Sequence, residues 1–231
     1  HRDLHRLIRR QRQMCIRDSY KIDLREGYAI DIAREDGIDA IVNSANNGLL
    51  LGTSGAGRIR EVTKRVENEE ELKEFYRLCD ELGNIGKGCL RWMENFGDSE
   101  PSYVQLECLR ILKKIGGRAE IGNAYLTPSG LEKPKYIIHA VGMGYEWKPD
   151  TKGERIKATH ESIRSALERT FDLANELEEV ESLALPLMCV RPKYGIPVED
   201  CYQITIEVIE EKHGKLDLSL IHISEPTRPL Y

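Results

Sequence analysis

The stretch "VNSANNGLLLGTSGAGRIR", Val42 to Arg60, begins as the end of a buried strand, crosses a cluster of Asn, and enters a Gly/Ser-rich loop. It closes as a helix start. The residues before it, Ile38, Ala40, Ile41 and Val42, form a short, almost unbroken apolar run. Such a run suits a parallel strand covered on both faces. Gly52, Gly55 and Gly57 ahead of a helix would aim several backbone N–H groups at an anion such as a diphosphate. The spacing is neither a P-loop nor a GxGxxG fingerprint, because no GK[ST] follows and the glycines are spaced differently. A plain tight turn is the competing reading.

Working outward, the chain alternates strands and helices. Tyr20–Arg34 reads as two short strands, "YKIDL" and "YAIDIA", around Arg25-Glu26-Gly27. From Ala56 a helix is predicted through "GRIREVTKRV", with Ile59, Val62 and Val66 on one side. Asn68–Gly117 reads as helical, with Leu72, Phe75, Leu78 and Leu82 at helical spacing, Gly83–Gly88 and Phe96–Pro101 as loops, and Gly116-Gly117 as a stop. The Glu-rich face of Glu67–Glu81 reads as solvated. "EIGNAYLTPSG" is a strand into a turn, and Tyr136–Val141 is a strand entering a Gly-containing loop, Gly142–Trp147. Arg155–Leu177 is a long helix with Ile156, Ile163, Ala166, Leu167 and Leu173 inward. "VESLALPLM" is a buried strand, "CVRPKYGIP" the loop after it, and "VEDCYQITIEVIEEKHGK" a final helix stopped near Gly214. This alternation predicts an α/β layered domain with a mostly parallel sheet. In such sheets ligands sit beyond the carboxyl ends of strands. Three loops fall there: Asn43–Gly57, Gly142–Trp147 and Cys189–Pro197.

Both termini stand apart from this pattern. Met14–Ser19 back-translates to codons whose reverse complement, one frame over, encodes Leu218–Ile223. Unrelated protein segments have no physical reason to be complementary in this way. Residues 1–19 and 218–231 are therefore read as non-native, adapter-derived sequence, and 20–217 as one domain whose final strand is missing. The alternative is a basic N-terminal arm that grips nucleic acid. The whole chain carries 34 Lys+Arg against 39 Asp+Glu, a net of −5. Without the two ends the net becomes about −9, which argues against general phosphate neutralisation of nucleic acid. No apolar run approaches the roughly 18 residues that span a bilayer, so no membrane association is expected. Cys79, Cys89, Cys108, Cys189 and Cys201 are odd in number, widely spaced and contain no CxxC pair. They read as free thiols in a reducing cytoplasm, with no metal site and no disulfide framework. No cofactor is expected.

Taken together, the loops resemble those of macro domains, the ADP-ribose-binding module. "DAIVNSANN" is similar to the strand-and-Asn motif of that family. "GNAYLT" followed by "KYIIHAVGMGY" resembles its next two strands, and "SLALPLMCVRPKYGIP" its strand with a second phosphate loop. The likeness covers about 130 residues and leaves Val66–Gly117 as a helical insertion in a three-layer α/β/α fold with a mixed, mostly parallel central sheet.

The resemblance implies roles. Asp31 would accept a hydrogen bond from the adenine amino group, as a carboxylate can, and Ile32 would pack on adenine. Asn46 would reach the distal ribose and is the one candidate catalytic residue. Asn43 would pin the loop backbone. Gly52, Thr53, Ser54, Gly55, Ala56 and Gly57 would form the first diphosphate loop. Val190, Arg191, Lys193, Tyr194 and Gly195 would form the second, with Tyr194 covering the distal ribose.

Departures from the family pattern bear on activity. Ala56 stands where hydrolytic members of one branch carry an Asp, and alanine can neither act as a base nor hold water. Thr53 and Ser54 replace glycines. The second loop is one residue longer, Pro192 has no N–H to offer, and Arg191 and Lys193 would supply charge instead. His139 reads as a satisfied core histidine, Cys189 as a buried thiol. Tyr145 and Trp147 either line the site mouth or pack on the insertion. The leading expectation is binding of ADP-ribose, free or on a mono-ADP-ribosylated macromolecule. The alternatives are hydrolysis of an ADP-ribosyl bond or of O-acetyl-ADP-ribose, and an interaction scaffold with a vestigial pocket.

Overall fold

A computed structural model describes residues 22–147, 153–189 and 194–222. In chain order the elements are β1 (Ile22–Glu26), α1 (Ala29–Asp36), β2 (Ala40–Asn46), α2 (Ser54–Val62), α3 (Glu69–Glu81), α4 (Asn84–Phe96) and α5 (Tyr103–Lys114). There follow β3 (Ala124–Pro128), β4 (Tyr136–Tyr145), β5 (Arg155–Ile156), α6 (His160–Glu176), β6 (Ser182–Pro186), α7 (Val198–Lys212) and β7 (Asp217–His222). The sheet order is β1-β7-β6-β2-β4-β3, with β5 attached to the end of β4. β1, β7, β6, β2 and β4 run parallel, while β3 and β5 lie antiparallel to β4. This is the mixed, mostly parallel sheet of a three-layer α/β/α fold.

The layers follow from the pleat, because alternate residues of a strand face opposite sides. On β4, His139 meets Cys108 of α5, whereas Gly142 faces Ile163 of α6. The central strands are apolar on both faces: Ala40, Ile41, Val42, Ile137, Ile138, Ala140, Val141 and Leu183–Leu185 are buried. α6 begins at a capping box in which Thr159 and Ser162 satisfy each other's backbone N–H groups. Its apolar stripe, Ile163, Ala166, Leu167 and Phe171, then lies on the sheet.

Several expectations change. The expected loop Gly83–Gly88 lies, from Asn84 on, within helix α4. "YAIDIA" is helix α1 rather than a strand. Six residues of near-alternating pattern fit either period, and burying Ala29, Ile30, Ile32 and Ala33 together requires the helical one. Gly37, left-handed at φ 73°, ends that helix. The expected loop Gly142–Trp147 is mostly strand, since β4 runs on to Tyr145 and pairs with β5. Arg155 and Ile156 form that short strand, so the helix starts only at His160, and Ile156 is 38% exposed instead of inward.

The final strand is present. Asp217–His222 lies between β1 and β6, in register with both, and so includes residues read as adapter-derived. A gap at that place would leave two rows of unpaired N–H and C=O groups, and a strand-compatible segment satisfies them. The remaining adapter-like residues, 1–19 and 223–231, lie outside the described part.

Candidate functional site

The carboxyl ends of β2, β6 and β4 share one rim, because the three strands are adjacent and parallel. The loop after β2 and the start of the loop after β6 are therefore neighbours. Ser44 Oγ on β2 lies 3.8 Å from Cys189 Sγ. Cys189 itself adopts a left-handed φ of 54° as the chain turns out of the sheet. Val190, Arg191 and Lys193 lie outside the described residues. Tyr194 and Gly195 are anchored where Ala158 N–H donates to the Tyr194 carbonyl at 2.8 Å. Arg155 stacks over the Tyr194 ring at 5.1 Å and the Tyr145 ring at 5.8 Å.

The loop after β2 is held mainly by side chains. Asn46 Oδ1 accepts from Gly48 N–H at 2.9 Å, and its Nδ2 donates to the Leu50 carbonyl at 3.3 Å. Pinning of the loop thus falls to Asn46 and not to Asn43. Asn43 is buried and pairs through Nδ2 with His139 Nδ1 at 3.1 Å. Asn47, not singled out from sequence, is a second pin. Its Oδ1 accepts from Tyr145 N–H and Trp147 Nε1–H, both at 3.0 Å, and its Nδ2 donates to the Tyr145 carbonyl. Trp147 is drawn over Gly48 and against Gly88 of α4, so it packs on the helical segment.

Several loop amides are already engaged. Leu49 N–H bonds to the Asn46 carbonyl, Leu51 N–H to Gln105 Oε1 at 2.8 Å, and Gly52 N–H to the Leu50 carbonyl. Gly52 lies under Trp92, where an added Cβ would stand 2.2 Å from the indole ring. Gly52 is thus turned toward the helices. Open amides begin one step later, at α2, whose first three N–H groups have no intrahelical acceptor. Thr53 provides no side-chain cap and the first turn holds no acid. Ser54, Gly55 and Ala56 are half-buried there, and Gly57 is packed against the Gly52 carbonyl.

Asp31 sits in the first turn of α1 and faces α2, where Arg58 Nε reaches its two oxygens at 2.8 and 3.1 Å. Ile32 points into the core beside Gly27 and is 5% exposed, so it presents no face for stacking.

Two candidate chemical groups are quiet. His139 is sealed in the core, bonded to Thr127 Oγ1 at 2.9 Å, and burial pushes its pKa down to about 3. Burial raises the Cys189 thiol to about 11, with Ser44 acting in the opposite direction. A thiol so protonated is a poor nucleophile.

Sequence reading also missed Arg60, Trp92, Asp98 and Gln105, which together hold the underside of the loop. One signal was available. Arg60 follows Gly57 by three residues and lies on the same buried side of α2 as Gly57 and Ile59. A cation on an apolar stripe requires a buried partner.

The comparisons agree with the fold. The Macro domain family model matches residues 79–205, more than half of the chain. The chain belongs to the macro domain family. The match begins inside the stretch expected as an insertion and takes in α4 and α5. Among curated relatives, a macro domain-containing protein of Caldanaerobacter subterraneus subsp. tengcongensis is 26% identical over 75% of this chain and 73% of its own. An uncharacterized protein of Sulfolobus acidocaldarius is 34% identical over 43% of this chain. The chain spans about half the length of the first curated relatives it matches, 48% and 53%. Among solved structures, an Oceanobacillus iheyensis macrodomain aligns with TM-score 0.54 at 18% identity, covering 90% of this chain and 86% of that one. A Trypanosoma brucei macrodomain in complex with ADP-ribose aligns with TM-score 0.54 at 19% identity, covering 88% and 64%. Among the described residues no helix is long and apolar enough to cross a membrane.

Proposed function

We propose that this chain binds ADP-ribose, free or carried by a mono-ADP-ribosylated macromolecule. The carrying observation is the uncapped, acid-free start of α2 at the end of central strand β2, next to the loop that follows β6. A diphosphate lies there on the amides of Ser54–Ala56, where the helix dipole favours negative charge. By the family resemblance we assign the second diphosphate loop to Val190–Gly195, with Arg191 and Lys193 as the cations. Asp31 accepts from the adenine amino group, and Ile32 supports that turn from the core. Asn46 has one hydrogen and one lone pair committed to the turn. It retains the others for the distal ribose. Family membership and the ADP-ribose complex of the Trypanosoma brucei relative support the ligand class.

Binding is favoured over hydrolysis by the groups described around the first turn of α2, where Asp31 is paired with Arg58. Ala56 carries no acid–base group, Cys189 holds its proton, and His139 is enclosed. Calorimetry of the full chain with ADP-ribose tests the reading. Saturable binding in the micromolar range is expected, and no heat up to about 1 mM ligand rejects it, since that limit corresponds to only about 4 kcal/mol. Release of ADP-ribose from a mono-ADP-ribosylated protein above the buffer rate would move the assignment to the hydrolase alternative.

A further inference from the structure

We infer that Arg60 is a positioning residue for the loop between β2 and α2, held in place by Asp98 from the connection between α4 and α5. The inference rests on the ADP-ribose reading and adds to it a role for the helical segment. Arg60 is 7% exposed. Its Nη1 donates to the Leu51 carbonyl at 3.1 Å and the Gly52 carbonyl at 2.9 Å. Its Nε lies 2.8 Å from Asp98 Oδ2 in a buried ion pair, and neither of these two atoms makes a hydrogen bond. Its guanidinium plane stacks on Phe96 at 4.0 Å. Asp98 is bridged in turn to Arg65 at 3.1 Å.

These contacts have one geometric effect. Two successive carbonyls of the loop point at the guanidinium, and Gln105 takes the Leu51 N–H and donates to the Leu49 carbonyl. With Trp92 over Gly52, residues Leu49–Gly52 are gripped from the side of α4 and α5. The chain leaves this grip at Thr53, directly before the α2 amides. Their direction is thus inherited from a turn whose shape the helical segment dictates. A planar fork can serve two carbonyls and a carboxylate at once, which an ammonium cannot match in geometry. Positioned donors gain their value from being held before the ligand arrives.

The test uses Arg60→Lys and Asp98→Asn in the full chain, each checked for an intact fold by circular dichroism. Hydrogen exchange reads the grip without ligand: faster exchange at Leu49–Gly52 is expected in both variants, and unchanged exchange overturns it. Calorimetry reads the consequence. ADP-ribose should weaken about tenfold, because the diphosphate donors lose their alignment, while adenosine loses less than about twofold. Equal losses for both ligands, or faster exchange with unchanged ADP-ribose affinity, remove the positioning role. If the unaltered chain takes up no ADP-ribose, the binding reading fails and this role with it, while exchange alone still decides whether the grip exists.

Discussion

Asp31 and Arg58 face each other across α1 and α2, with both carboxylate oxygens within hydrogen-bonding distance of one guanidinium nitrogen. The carboxylate that would read adenine is thereby fixed in direction before any ligand is present. The pair is partly exposed, 28% for the Asp31 side chain and 37% for that of Arg58, and such pairs contribute at most about 1 kcal/mol. Asp31→Ala should therefore leave the melting temperature nearly unchanged. It should weaken ADP-ribose about tenfold or more, the worth of a charge-assisted hydrogen bond, and leave ribose 5-phosphate unaffected. Calorimetry with the two ligands checks this, and equal losses would undo the adenine assignment.

Gly52 and Trp92 are in contact so close that no side chain fits between them. Gly52→Ala should destabilise the fold by about 1–3 kcal/mol, the usual cost of overpacking, measured by urea unfolding. Trp92→Ala should recover much of that loss in the double variant, since neighbours sharing one space couple strongly. A purely additive double variant would mean that α4 does not lie on the loop as described.

His139 gives the molecule a specific acid sensitivity. Its folded pKa, about 3, is below the ordinary value of 6.5, so between those limits the unfolded chain binds the proton and the folded chain does not. Stability from this group is complete above about pH 6.5 and falls as pH drops toward 3, by up to about 1.4 kcal/mol per unit. Urea unfolding at pH 7, 6 and 5 should show that slope. His139→Gln should flatten it relative to the parent while lowering stability at pH 7. Parallel pH profiles would show that the imidazole is not held neutral.

The thiols should be inert in the folded state. Cys79, Cys89, Cys108, Cys189 and Cys201 are all buried, and burial pushes Cys201 up to about 12 as well as Cys189 to about 11. In a Cys15→Ser background, an aromatic disulfide reagent at pH 7.5 should label none of the five within minutes, and all of them in denaturant. Rapid labelling of Cys189 alone would restore it as a candidate nucleophile.

The sequence by itself determined the run Ile38–Val42, the Asn cluster after it, and the order of strands and helices that made the layered α/β class readable. It also determined that His139 belongs inside. These are properties of neighbouring residues, and periodicity carries them. Whether "YAIDIA" turned as strand or helix depended on which surface it had to cover. That Asn46 and Asn47 would hold the loop while Asn43 joined His139 depended on the register between β2 and β4. The Arg60–Asp98 contact joins residues from separate elements, and β7 took its place because β1 and β6 each left an edge to be paired. Hydrogen bonding and burial are satisfied by whichever groups the chain brings together in space, so these outcomes belong to the tertiary structure alone.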